Sequence, residues 1–376
     1  MRVRILSGVA EVPQAAWDRL VGDASPFVEW AYVRACEVDS ATPAHGVEPR
    51  HVTVWRGDAL AGATPLYLKR DGRGEFIYDF GWATAARRAG VPYLPKLVSM
   101  APFAPFDAPH LLVAPDDPDP AAVRAALVAG VEAQAERDEA QGVHWLFTGD
   151  DEAAALAGRG YARRRSLSLV WTNPGDASFE AWLGRLRSKA RVRTRRELRR
   201  VEEAGVTLER VEGDAVTPDD VDQLRRYYEA TCEAHGTGSD YLKPGTWDLL
   251  ARAWRHRLVL FFARAGGRRV GGSLLVHKGA DLYGRYWGAD GAWPFLYFAL
   301  CFYRPIAHAL ERGLARVHAG AGTTFHKHAR GFDPALVSSW HRLRHPALHE
   351  AIARAAAAEA LEVERLAVAL RRAPGA

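Results

Sequence analysis

Two segments of the chain, separated by about 210 residues, share one plan. The first, RHVTVWRGDALAGATPLYLKRDGRGEFIYDFGW, covers residues 50 to 82, and the second, RLVLFFARAGGRRVGGSLLVHKGADLYGRYWG, covers 257 to 288. In each, an apolar run meets a Gly-containing turn (Arg56-Gly57-Asp58; Gly266-Gly267), and a second run opens near a glycine (Gly62; Gly272). A further turn then leads into an aromatic run. Runs of this length punctuated by tight turns predict three sequential antiparallel strands in each segment. An internal repeat constrains the fold more than composition does, because both copies must build a similar core.

The flanks repeat as well. Residues 13 to 20 and 27 to 37 read as helices before the first segment, as do 218 to 235 and 244 to 256 before the second. After each segment a helical stretch (121 to 140; 293 to 312) leads into a short apolar strand, VHWLF or LARVHAG. The economical reading is a duplicated α+β domain, spanning 1–165 and 166–376, with an Ala/Leu-rich C-terminal helix at 346–372. A length of 376 residues suits two cores, and 48% hydrophobic with 25% charged residues is the composition of a chain that folds. The stretch GWATAARRAGVPYLPKLVSMAPFAPFDAPH carries prolines at 92, 95, 102, 105 and 109, which predicts a stiff ordered loop and excludes a long helix or central strand.

The charge is concentrated. Residues 185 to 200, RLRSKARVRTRRELRR, hold nine Lys or Arg against one Glu, a local +8 in a chain whose net charge is +5, so the remainder is slightly acidic. Phe179, Trp182, Leu183, Leu186 and Ala190 fall at helical spacing, which places the run on an amphipathic helix over 179–204. Lys189, Arg191, Arg195, Arg196 and Arg199 are the candidate contacts for phosphates of a tRNA acceptor stem or another polyanion; a plain solvated face is the alternative. Three cysteines without CxxC spacing suggest neither a disulfide framework nor a cysteine-based zinc site, and no window approaches about 18 apolar residues. The expectation is a cytoplasmic protein without a membrane span or signal peptide.

The motifs YDFGWA, GVPYLPKLVSMAPFAPF, RRELRR, DLYGRYWGA, PFLYFALCFY and HKHARGF, taken at these spacings, resemble an N-acyltransferase family related to the Fem-type peptidoglycan aminoacyltransferases. The resemblance implies an α+β fold made of a tandem duplication of GNAT-like (acyl-CoA N-acyltransferase-like) domains. It further implies transfer of an aminoacyl group from a charged tRNA to an amine of a peptidoglycan-type precursor or small molecule. Three departures from the family pattern stand out: Arg193 where Asn is usual, Ala104 and Ala108 where Thr and Gly are usual, and Thr323-Thr324-Phe325 where a Gly-Glu pair precedes His326.

Amide formation from an activated ester needs a seat for the donor, stabilisation of the oxyanion and a route for the amine proton; it needs no covalent nucleophile and no cofactor beyond the donor. The Gly-rich loop that cradles the pyrophosphate of acyl-CoA at a helix start is poorly matched, by GADGAWPF in the second half and by RRAGVP, with Pro92, in the first. That favours aminoacyl-tRNA over acyl-CoA as donor. Asp79, among aromatics in YDFGW, is a candidate proton acceptor or a turn-capping residue. Tyr93 and Lys96 are candidates to hydrogen-bond a substrate carboxylate or phosphate. In DLYGRYWGA, strand alternation puts Tyr283, Arg285 and Trp287 on one face and Tyr286 on the other, and an arginine within a central strand needs an anion. Arg285, Tyr286 and Trp287 are therefore substrate-binding candidates. His326 and His328 form an H-x-H pair without an evident third metal ligand; Lys327 and Arg330, beside the turn at Gly331-Phe332, read as anion holders, and His326 and Lys327 are the catalytic candidates of this segment. Alternatives are an acyl-CoA-dependent N-acyltransferase and a non-catalytic RNA-binding protein.

Overall fold

The alternation of short apolar runs with tight turns does produce strands, but the two repeats use them differently. The structure is a computed structural model that describes residues 1–39, 46–72, 75–234, 242–320 and 324–372. The chain divides into two compact units, Met1–Ser166 with Leu336–Arg365, and Leu167–Ala335 with Leu366–Ala376.

The first unit holds β1 (Arg2–Leu6), β2 (Val47–Pro49), β3 (His51–Arg56), β4 (Ala59–Thr64), β5 (Tyr67–Lys69), β6 (Lys96–Ser99), β7 (Leu112–Val113) and β8 (Gly142–Thr148). Strands β1, β3, β4 and β7 form one antiparallel sheet. Its central β3–β4 hairpin closes through Gly57 at φ 59°, a backbone setting that glycine takes without strain. The expected third strand does not join it. Pro65 follows Thr64 and cannot donate to a continued ladder, so β5 leaves β4 and pairs instead with β2 and β6.

The proline-rich stretch is also more regular than its composition predicts. Residues Phe80–Arg88 form a helix, and β6 is a fully buried strand paired with β5 on one side and, in parallel, with β8 on the other. The prolines at 92 and 95 precede β6 and those at 102, 105 and 109 follow it, so the four residues of its ladder meet none of them. Asp119 caps the helix Pro120–Arg137 by accepting from Ala122 N at 3.0 Å, and Val123, Leu127 and Val131 of that helix pack with Val52, Val54 and Trp145.

Strand β9 (Ala162–Thr172) leads out of the first unit into the second, which adds β10 (Thr207–Glu212), β11 (Leu258–Ala265), β12 (Arg268–Lys278), β13 (Asp281–Ala289) and β14 (Arg316–His318). The order is β10-β11-β12-β13-β14-β9. Here the expected three-stranded meander is present as β11-β12-β13, and β14 joins in parallel after the helical passage Leu296–Glu311. The helix expected over 179–204 is two helices, Phe179–Arg185 and Ser188–Glu203, because Leu186 and Arg187 take extended conformations between them. Trp182, Leu183 and Val201 bury into the core of this unit.

Strand β15 (Asp333–Leu343) returns to pair antiparallel with β8, and the helix Pro346–Arg372 follows. Leu348 and Ile352 of that helix pack with Ala86 and Tyr93. Residues 336–365 therefore belong with the first unit, where the sequence reading had assigned them to the second.

Gly288 in β13 lies against the helix Pro218–Ala234 so closely that a Cβ there would stand 2.0 Å from the Tyr227 carbonyl oxygen. Gly288→Ala is expected to cost roughly 3 kcal/mol or more, read by chemical denaturation, because backbone rather than a movable side chain blocks the methyl group. Acid should weaken both units. Burial holds His110, whose Nε2 lies 2.6 Å from the Leu146 oxygen, down at about 4, and burial likewise brings His308 to about 4. Both are neutral when folded, whereas the unfolded chain takes up protons near pH 6.5. Stability is then expected to fall by roughly 1.4 kcal/mol per pH unit and per histidine as pH drops from about 6.5 towards 4. Denaturation midpoints at pH 7 and pH 5 check this.

Candidate functional site

In the second unit the site grows from an irregularity in β13. Leu274 faces Tyr286 across the ladder, but Leu275 faces Gly284, so Arg285 is an extra residue in a bulge. The bulge breaks the simple alternation expected for this strand. Tyr283 stacks on His318 at 4.5 Å, Tyr286 packs against Trp247 and Tyr228, and Trp287 leans on Tyr297 at 4.7 Å. Strands β13 and β14 pair in parallel only over Asp281–Tyr283. Beyond that point lies a cavity with about 420 Å³ of empty space, part of it open to solvent. Arg285, Tyr286 and Trp287 line it together with Tyr297, Cys301 and Ala319. The three substrate-binding candidates of β13 thus come together at one cavity, although alternation alone would have separated them.

The HKHARGF segment reaches this cavity through Ala319, a lining residue whose carbonyl accepts from Lys327. Residues 321–323 lie outside the described residues, so Thr323 has no structural account; Thr324–His328 form one short helix. The Lys327 ammonium donates to the carbonyls of Ala319 at 2.8 Å and Gly320 at 3.1 Å. It is 6% exposed, and burial brings it down to about 8. Burial pushes up the thiol of Cys301, a residue lining the cavity. His326 is exposed, with its ring tilted over Phe298, and buried His328 has Nδ1 3.1 Å from the Phe332 oxygen.

Arg330 departs from expectation. Its Nη2 donates to Glu197 Oε1 at 2.8 Å and its Nε to Oε2 at 3.2 Å, while Nη1 donates to the His326 carbonyl at 2.9 Å. The anion it holds is this chain's own glutamate, on the basic helix. That helix buries Ala190, Thr194, Glu197 and Val201 and exposes Lys189, Arg195, Arg196 and Arg199, with Arg191 half-buried. Flanking acids offset part of the run: Arg195 pairs with Glu180 at 2.8 Å and Arg199 with Glu203 at 3.6 Å.

Asp79, Tyr93 and Lys96 fall in the first unit, whereas His326 and Lys327 fall in the second. Asp79 precedes the helix Phe80–Arg88 but does not cap it. Its Oδ2 accepts from the Tyr93 hydroxyl at 2.6 Å and from Lys96 at 2.5 Å, and Lys96 also donates to Glu75 at 2.9 Å. Lys96 and Lys69 face each other across β5 and β6, and both are fully buried. Burial opposes the Lys96 charge, but Glu75 and Asp79 outweigh it and raise its pKa; burial prevails at Lys69 and lowers it. Burial also raises Glu75. The groups expected to meet a substrate are thus engaged with one another. Nearby, His144 and His341 approach at 2.7 Å through their Nδ1 atoms, and His341 reaches Ser339. Burial keeps both histidines well below the usual range. Sequence reasoning missed Lys69, Glu75, His144 and His341. For Lys69 and His144 the signal was a polar residue in an otherwise apolar strand run, YLK and VHWLF; Glu75 and His341 carried no such signal.

The FemAB-like family profile, described as peptidoglycan biosynthesis/recognition, matches residues 8–374. The chain belongs to the FemAB-like family. Among solved structures, this FemAB-like chain is similar to FemX at 13% identity and TM-score 0.55, covering 94% of this chain and 100% of that one. It is similar also to the C-terminal domain of a putative lysylphosphatidylglycerol synthetase from Agrobacterium fabrum, at 14% identity and TM-score 0.55, covering 93% and 95%. At these identities the likeness carries the fold alone, two α+β units with a C-terminal helix. Membership of the FemAB-like family makes the protein an acyltransferase. No curated protein sequence matches it. Among the described residues no helix is long and apolar enough to cross a membrane.

The buried cluster of the first unit makes a firm stability prediction. Lys96→Met leaves Asp79 and Glu75 buried without their shared cation, and is expected to cost roughly 3–5 kcal/mol by denaturant titration.

Proposed function

We propose that this FemAB-like protein transfers an aminoacyl group from a charged tRNA to an acceptor amine by direct attack, in the cytoplasm and with no cofactor beyond the donor. The observation that carries the reading is Lys327: a buried amine, brought to about 8, bonded to the carbonyl of Ala319, which lines the Arg285–Trp287 cavity, in the same unit as the exposed arginine helix. A lysine whose pKa lies near the working pH is suited to take the proton of an attacking amine.

In this scheme the aminoacyl ester enters the cavity, where Tyr286 and Trp287 offer aromatic walls and Arg285 offers guanidinium donors to an anion or developing oxyanion. The acceptor nitrogen attacks the ester carbonyl, the carbon–oxygen bond to the tRNA ribose breaks, and an amide forms. Lys327 receives the nitrogen's proton and returns it to the leaving ribose oxygen. Lys189, Arg191, Arg195, Arg196 and Arg199 meet phosphates of the tRNA, where exposed cations displace bound counterions. The acceptor is an amine of a peptidoglycan-type precursor or of a small molecule. His326, exposed beside Lys327, contacts the acceptor, and the Asp79–Tyr93–Lys96 cluster keeps its part of the first unit in place.

Incubation of the purified protein with a labelled aminoacyl-tRNA pool and candidate amines tests this, and RNase-sensitive transfer is the expected result. No transfer, together with saturable binding of a CoA thioester, would overturn the tRNA donor; RNA binding without transfer would overturn the enzyme. If Lys327 is the base, the rate should climb with pH and level off above about 8, and Lys327→Ala should lower it by at least about 100-fold. Replacing Arg195, Arg196 and Arg199 together with Gln should weaken tRNA binding and flatten its log–log salt dependence by about 2 units, measured by filter binding between low and moderate salt.

A further inference from the structure

We infer that Glu197 is a positioning residue: through Arg330 it sets where the Lys327 amine stands at the cavity. This rests on the role of Lys327 proposed above. In a run of nine cations the single acid would be expected on the surface beside the arginines, yet Glu197 is 3% exposed. Both of its oxygens are used. Arg330 binds them at 2.8 and 3.2 Å, and the Tyr303 hydroxyl donates to Oε2 at 2.5 Å. Arg330 in turn holds the His326 carbonyl at 2.9 Å, with its guanidinium 3.3 Å from the centre of the Phe298 ring. One turn earlier on the same helix, Arg193 donates to the Ala329 carbonyl. The basic helix therefore pins the chain at Ala329 and Arg330, and Arg330 carries that hold back across Lys327 to the His326 carbonyl.

The physical argument is one of restraint. Thr324–His328 is a single helical turn and too short to hold itself. A buried ion pair gains little net stability over an apolar substitute, so its effect here is better sought in geometry than in energy. Lys327 owes its lowered pKa to burial, in the position fixed by its bonds to the Ala319 and Gly320 carbonyls. Release of the pin lets the amine reach water, where a lysine titrates near 10.4. At pH 7.5 its neutral fraction would then drop by about 200-fold, and the rate would follow.

The chain has six lysines, so the titration of each can be followed by NMR on the full-length protein with isotope-labelled lysine, with Lys327 assigned by the signal lost in Lys327→Arg. Wild-type Lys327 should titrate near 8, and in Glu197→Gln its midpoint should rise by about 1 unit or more. Arg330→Lys, which keeps the charge but not the reach to the His326 carbonyl, should shift it in the same direction. A folded Glu197→Gln or Arg330→Lys protein whose Lys327 titrates as in the wild type overturns the inference. Failure of both variants to fold overturns it too, in favour of a purely structural ion pair. The titration uses no acyl donor, so a shift without any transfer activity would fell the tRNA reading and leave the positioning role standing.

Discussion

The short parallel pairing of β13 with β14 is the constraint on which the second unit's chemistry depends. A ladder that stops after Tyr283 leaves the rest of β13 without a neighbour on that side, and space remains where a longer sheet would have been closed. The bulge at Arg285 then decides which side chains face that space. An unbulged strand would send alternate residues to opposite faces. Here three consecutive residues reach one cavity, and the chain beyond β14 adds Ala319, whose carbonyl accepts from Lys327.

Each unit also buries charge, and each resolves the desolvation cost internally. In the first, Lys69 and Lys96 on neighbouring strands are met by Glu75 and Asp79. In the second, Arg330 is met by Glu197. Such groups are tolerated inside a protein only when paired and hydrogen-bonded. Their pairing explains why several residues that look poised for substrate are committed to the fold. At Lys327, which donates to the carbonyls of Ala319 and Gly320, burial prevails and lowers the pKa.

Much of the architecture was legible beforehand because it follows from local pattern. The meander β11-β12-β13 appears where alternating runs and glycine turns place it, and the helix Pro346–Arg372 coincides with an Ala/Leu-rich stretch. The first repeat misled because Pro65 ends one ladder and diverts β5 into another. Strand β6 was hidden because proline density was taken over the whole stretch, although a four-residue strand needs only a four-residue gap. Arg330 read as a cation awaiting a substrate, since its true partner lies 133 residues away in sequence.

The sequence by itself determined which segments alternate, which helix is basic and which family the chain resembles, for these depend on residue types at short spacing. Tertiary structure alone decided that Glu197 faces inward to Arg330, that Asp79 is tied to Lys96 and Tyr93, and that Lys327 meets the carbonyls of Ala319 and Gly320. The reason is physical: the proton affinity and availability of a charged group are set by what surrounds it after folding, and those neighbours come from other strands and helices.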